Sequence, residues 1–304
     1  MMPKLINYPH LASQVFGVPH YATRQTLDSV KAVLIPRLTG AFSAGDVMAL
    51  EADTTPTSQA DVAGGRVAVI PVHGLLAARR GHITNMCTEL TSYELIRAQL
   101  HKALADEKIS EIVLDINSGG GFAVGCKELA DYIFSMRDVK PITAIVNFSA
   151  YSAAYFIASA CNKIVLSQTS GVGSIGVILE HMEASKWEEQ VGLKFTTFYR
   201  GDYKNTGSPH EPLSSPASAE IQQMIDDAYT LFFTSVAQYR GLTEQTVIDT
   251  QARCFTGQAA IDAGLADELS DQQNAINAIA AQYTAVPTSS IQVRATAMRQ
   301  QNTL

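Results

Sequence analysis

The sequence predicts an α/β fold with largely parallel strand pairing. Three observations carry that prediction. Apolar runs of strand length alternate with segments of helical period, glycine-rich turns join them, and the last third carries one long helical stripe. Taken in order, residues 26–38 read as a helix broken at Pro36, and 43–65 as a small, polar linker ending in Gly64 and Gly65. Residues 66–72, R-V-A-V-I-P-V, read as a buried strand. A helix over 92–107 follows, with Leu95, Ile96, Leu100 and Leu104 at helical spacing. The strand 111–116, E-I-V-L-D-I, leads into the turn N-S-G-G-G at 117–121, and a helix then carries Val124, Leu129, Ile133 and Phe134. Residues 142–146 are the next strand, followed by a helix of small residues from about Ser152. Shorter strands are expected at 163–166, 176–179 and 195–199. The helix 215–240 carries Ile221, Met224, Ile225, Ala228, Leu231 and Phe232 on one stripe. Ser214 or Ser215 before Pro216 supplies its N-cap and first-turn proline. Residues 284–304 lose the periodicity and read as a tail.

Composition narrows the function classes. The chain has 304 residues, 22 basic and 29 acidic, for a formal charge of −7. Its 46% hydrophobic and 17% charged content suits a folded core rather than a disordered chain. The acidic balance argues against a general nucleic-acid binder, which needs a basic footprint to neutralise phosphates. Cys87, Cys126, Cys161 and Cys254 are far apart and form no C-x-x-C. Neither a disulfide framework nor a zinc knuckle is expected, and a reducing compartment is the default. The N-terminal stretch has no apolar run of signal-peptide type. Residues 141–162 carry no charge, a length able to span a bilayer. Pro141, Thr143, Asn147, Ser149, Ser152 and Ser159 within it favour a buried strand, a turn and a buried helix instead.

Several places hold residues suited to chemistry. The turn 117–121 frees backbone N–H groups from Cβ obstruction, which suits an anion or an oxyanion; a tight connection is the other reading. Ser152, in A-Y-S-A-A-Y, sits where a strand passes into a helix. Its hydroxyl lies at the positive helix end, with the Ala153 N–H beside it free to donate. That placement suits a nucleophile, and it also suits an ordinary N-cap serine. Lys204, in G-D-Y-K-N-T-G, suits a general base when desolvation holds it neutral; otherwise it is a solvated surface charge. Residues 171–176, G-V-G-S-I-G, match G-x-G-x-x-G, with Glu188 and Glu189 downstream. The sequel Val177-Ile178-Leu179 is strand-like rather than helical, so a dinucleotide site is not expected. His73, His181 and His210 offer a base for a Ser-His-Asp triad oriented by Asp115 or Asp202, with no spacing that singles one out.

The order of the motifs says more than any one of them. N-S-G-G-G, A-Y-S-A-A-Y-F-I-A-S-A, G-S-I-G-V-I, R-G-D-Y-K and F-T-G-Q-A-A-I-D-A-G-L-A-D follow one another between about residues 65 and 269. In this order they resemble the signal peptide peptidase A family of Ser–Lys peptidases, and within it most the capsid assembly (prohead maturation) proteases of lambda-type tailed phages. The resemblance implies an α/β fold of the ClpP/crotonase type, built from repeated β-β-α units. It implies Ser152 as nucleophile, and Lys204 as general base 52 residues downstream. It further implies Gly120 and the Ala153 N–H as the oxyanion hole, and Ser174 as the residue that orients the lysine. The G-x-G-x-x-G match then becomes a peptidase element.

Also implied are a homo-oligomeric ring, sometimes with serine and lysine from neighbouring subunits, and no metal or organic cofactor. Implied substrates are proteins: scaffold, portal, capsid protein or the chain itself. The implied location is the host cytoplasm or the prohead interior, without a membrane span and without nucleic acid as a partner. Residues 1–62 then read as an arm and linker, 63–283 as the peptidase domain and 284–304 as a flexible tail. Lambda-type relatives continue into a scaffolding segment, where this sequence ends at Leu304. Two departures stand out. Gly119 takes the place of a common proline, and Ala153 and Ala154 take the place of frequent glycines. Small residues beside Ser152 predict a pocket for small side chains. The rival readings are a bacterial signal-peptide-peptidase-like protease, a crotonase-type acyl-CoA enzyme and a non-catalytic phage head component.

Overall fold

The computed structural model describes residues 12, 15–38, 60–62, 66–79 and 90–283. Most of the linker expected over 43–65, and all of the tail expected over 284–304, lie outside the described residues. In chain order the first elements are β1 (His20–Ala22), α1 (Arg24–Leu38), β2 (Ala60–Val62), β3 (Val67–His73), β4 (Leu75–Ala77) and β5 (Leu90–Ser92). Then come α2 (Tyr93–Ala105), β6 (Glu111–Ser118), β7 (Gly120–Phe122), α3 (Cys126–Met136), β8 (Ile142–Tyr151) and α4 (Ala153–Ser159). β9 (Lys163–Leu166), β10 (Gly171–Gly173), α5 (Ser185–Gln190) and α6 (Ser215–Arg240) follow. The last are α7 (Glu244–Ile248), β11 (Cys254–Thr256), α8 (Gln258–Asp262), β12 (Glu268–Leu269) and α9 (Gln272–Tyr283).

β3, β6 and β8 lie side by side in parallel, with Val67 opposite Glu111 and Ile112 opposite Ile142. Each carries a continuous apolar run, such as Val67–Val72, Ile112–Leu114 and Ala144–Val146, because both faces are covered. Ile70, Val72, Leu114, Ile116, Ala144 and Val146 pack in one layer with residues of α2, α3, α4 and α6. Val67, Val113, Ile145 and Val165 pack on the other face against Ala275 and Ile279 of α9. β3 passes into β4, and β6 into β7. Both short strands belong to a second sheet, ordered β1-β7-β4-β5; α3 follows β7, and β5 and then α2 follow β4. This is the repeated β-β-α arrangement of the expected fold.

The uncharged stretch is β8 followed by α4, whose residues are all buried. No helix among the described residues is long and apolar enough to cross a membrane. The caps follow the sequence. Ser92 accepts from the Leu95 N–H, and Ser214 from the Ala217 N–H, with Pro216 in the first turn of α6. Pro36 lies in the last turn of α1 and does not end it at once; the helix runs on to Leu38.

Three strand expectations need correction. β8 runs past Val146 to Tyr151, through a register shift at which Phe148 takes φ 79°. The strand expected at 176–179 is replaced by β10, and only Ile178 forms a bridge, to His20. Residues 195–199 form no strand. Their β-branched and aromatic residues pair with no strand edge, and they lie exposed.

The aromatic centre of the core joins three distant parts of the chain. Phe156 of α4 stacks on Phe232 of α6 with ring centroids 4.6 Å apart, and Tyr21 of β1 lies 4.7 Å from Phe232. Phe232→Ala is expected to cost about 3–5 kcal/mol, measured by denaturant unfolding, because the cavity cannot close between elements pinned elsewhere.

Candidate active site

β8 ends at Tyr151 and α4 begins at Ala153, so Ser152 alone makes the turn. It holds φ 55° and ψ −116°, a backbone state that costs a non-glycine residue about 1–3 kcal/mol. Two hydrogen bonds hold it there. The Ser152 N–H donates to Gly173 O at 2.9 Å, and Ser152 O accepts from the Phe156 N–H at 2.8 Å. Ser152 is fully buried, yet its Oγ makes no hydrogen bond. A buried polar atom without a partner is uncommon and marks a place where structure has been set aside for something else.

Gly120 faces it. A Cβ built on Gly120 would come 3.1 Å from Ser152 Cβ. Its φ of 99° is glycine territory. The Gly120 N–H donates to Ser118 Oγ at 3.1 Å, and that hydroxyl donates to Gly74 O at 2.6 Å. The turn does not open directly into a helix as the sequence suggested. It opens into β7, and α3 begins only at Cys126. The Ala153 N–H, first in α4, has no acceptor within the helix. Ser174 follows Gly173, which pairs in parallel with Tyr151, so it comes to the same turn. Its φ is 55°, and its N–H donates to Arg253 O at 2.9 Å. Ser152, Gly120, Ala153 and Ser174 are therefore brought together.

Lys204 is not. It is exposed and lines a surface depression with Phe195, Phe198, Asn205 and His210. Its segment is tied to itself. The Ala184 N–H donates to Pro209 O at 2.7 Å, His210 Nδ1 lies 2.6 Å from Glu188 Oε1, and the His210 ring stacks on Phe195. The histidines form no triad with Ser152, whose Oγ is unpartnered. His73 instead meets Asp115 at 3.1 Å, and Gln272 donates to the other carboxylate oxygen at 2.9 Å. His181 has a buried Nε2 without a partner.

The sequence reading missed β1, which pairs with β7 beside the site. Three residues are too few to show a period. The replacement of proline by Gly119 was the available signal: a Cβ at Gly119 would come 2.1 Å from Thr26 Oγ1, so α1 occupies the room above it. Gly120→Ala is expected to lower turnover by about 10²–10³-fold, since the new Cβ would meet Tyr21 O at 2.2 Å and displace the donor. Initial rates on a protein substrate, with circular dichroism as the control for folding, check this.

Comparison with known proteins places the chain. Residues 135–285 match peptidase family S49. The chain is 40% identical to the head-tail preconnector protein GP5 of Enterobacteria phage P21 over 214 residues, 70% of this chain and 42% of that protein. It is 34% identical to the capsid assembly protease C of Escherichia phage lambda over 291 residues, 91% of this chain and 66% of that protein. A putative signal peptide peptidase SppA of Enterococcus faecium is 26% identical over 229 residues, 74% of this chain and 66% of that protein. The chain spans less than two thirds of the length of either phage protein. Its similarities group it with peptidases of phage heads and of the signal peptide peptidase type. Over residues 135–285 its similarity is to peptidase family S49.

Proposed function

We propose that the chain is a serine endopeptidase acting through a Ser–Lys dyad in the assembly of a phage head. The observation that carries this is Ser152: a buried, unpartnered hydroxyl on a positive-φ turn, facing Gly120. Ser152 Oγ attacks the scissile carbonyl carbon while the Lys204 amine takes its proton. The N–H groups of Gly120 and Ala153 hold the oxyanion, that of Gly120 exchanging Ser118 Oγ for it. The lysine returns the proton to the leaving amine. Water, deprotonated by the same lysine, then splits the acyl-enzyme and restores Ser152.

Lys204 serves the Ser152 of a neighbouring copy. Its segment shows Phe195, Phe198, Tyr199 and Tyr203 to solvent, with Phe198 91% exposed. An apolar patch of this kind marks a protein contact. Docking it on another subunit would also take the lysine out of water, which favours the neutral amine a base must be. Ser174 then orients the incoming lysine.

The peptidase domain is residues 63–283, preceded by an arm over 1–62. The relatives named as a capsid assembly protease and a head-tail preconnector support scaffold, portal, capsid protein or the chain itself as substrates, cut inside the prohead in the host cytoplasm. The test is incubation of the full chain with the scaffold protein of the same phage, read by intact mass, with Ser152→Ala as control. Cleavage by the parent alone supports the reading; cleavage by both or by neither overturns it.

A further inference from the structure

The strand β1 lies along the strand that leaves the turn at Gly120. It runs antiparallel to β7, with His20 opposite Phe122, Tyr21 opposite Gly121 and Ala22 opposite Gly120. The Thr23 N–H donates to Gly119 O at 2.9 Å. On its other edge His20 exchanges two backbone hydrogen bonds with Ile178, at 2.9 and 3.1 Å, and the Gly17 N–H donates to Glu180 O at 2.9 Å. Residues 17–23 are thus held on both edges, between the strand leaving the oxyanion turn and the chain leaving β10. A peptide added to strand edges in this way gains affinity from its main chain and specificity from alternate side chains.

Tyr21 is the side chain that enters. It is 1% exposed, its ring centroid lies 5.7 Å from that of Phe156 and 4.7 Å from that of Phe232, and its hydroxyl donates to Ala228 O at 2.8 Å. The same residue lies against Gly120, which faces Ser152. A Cβ on Gly120 would lie 2.2 Å from Tyr21 O and 3.1 Å from both Ala22 Cα and Ser152 Cβ. Yet the Gly120 N–H is bonded to Ser118 Oγ and Ser152 Oγ to nothing. The segment occupies the groove without placing a carbonyl on the catalytic donors. Occupation without cleavage is what this geometry supports.

We infer that residues 17–23 are a resident pseudosubstrate, filling the peptide groove between β7 and residues 176–180. A protein substrate enters as an extended strand with an aromatic side chain at the Tyr21 position, and must displace the segment to reach Ser152. The inference rests on Ser152 being the nucleophile of the proposed peptidase.

A covalent staple tests it. His20 and Phe122 face each other as a non-hydrogen-bonded pair, the closer kind of cross-strand neighbour. The His20→Cys/Phe122→Cys protein, oxidised, is expected to lose scaffold cleavage roughly tenfold or more and to recover it on reduction. Equal cleavage in the two forms, with the disulfide confirmed by mass, overturns the inference. A second arm needs no activity. In a Ser152→Cys background, alkylation by iodoacetamide at position 152 is mapped with and without Tyr21→Ser. Acceleration of roughly tenfold at that position, with buried Cys126 and Cys161 unchanged, is the expected result. No acceleration overturns the inference. Acceleration at all three positions means that Tyr21→Ser unfolds the chain, and the staple then decides. A parent protein that never cleaves scaffold defeats the proposed function alone, and alkylation then decides the place of the segment.

Discussion

Ser152→Ala is expected to abolish scaffold cleavage, lowering turnover by roughly 10⁴–10⁶-fold, while the protein stays folded. The substitution removes one oxygen that bonds nothing, so no hydrogen bond of the folded state is lost. The Cβ stays against Gly120, and the backbone bonds to Gly173 and from Phe156 do not involve the side chain. Stability should hold or rise, because an unsatisfied buried hydroxyl costs about 1–3 kcal/mol. Loss of activity with an unchanged or higher melting midpoint separates a nucleophile from a structural cap. An N-cap serine would show the reverse: retained activity and lost stability. Cleavage within tenfold of the parent would remove Ser152 from the mechanism.

Lys204→Ala should be as inactive as Ser152→Ala, and mixing the two inactive proteins should restore activity. Lys204 and its aromatic neighbours face solvent in the single chain, while Ser152 is enclosed. A site built from two chains reconciles these positions. In an equal mixture that exchanges subunits, roughly a quarter of the sites combine an intact serine with an intact lysine. Scaffold cleavage should therefore return to about that fraction of the parent rate. Light scattering establishes that the subunits assemble. No recovery in an assembled, exchanging mixture would place both residues in one chain and require the 193–213 segment to fold back on its own core.

Much of the architecture is legible in the sequence, for reasons that differ between elements. α6 can be read to the residue because Ser214, Pro216 and Gly241 supply its cap, first turn and left-handed exit. β3, β6 and β9 declare themselves by short apolar runs, since strands covered on both faces are apolar at successive positions over much of their length. β10 could not be read: G-V-G has no pattern of its own, and its neighbours at 149–151 and 254–256 make it a strand. Residues 195–199 erred the other way, with a strand pattern and no edge to receive it.

At the site, the order of motifs pointed to Ser152, Gly120, Ala153 and Ser174, and the fold gathers them. It leaves Lys204 apart in the single chain: spacing along a sequence does not fix which residues meet in space. β1 escaped notice for a related reason. Its partners, Gly120 and Ile178, lie far along the chain, and no local pattern in residues 20–22 points to either.

The hydrogen bond from Tyr21 to Ala228 joins positions 207 residues apart. It has a consequence for the order in which the molecule is made. A nascent chain emerges from the ribosome N-terminus first, so Tyr21 must wait for the long stretch of chain up to Phe232 to be made. Until then the strand has β7 and Phe156 to rest on but lacks the wall that α6 supplies. Contacts this distant in sequence slow folding, since a long loop must close before they reward it. The aromatic centre is therefore a late event in biogenesis, and a truncated translation product ending before α6 would hold its first strand loosely.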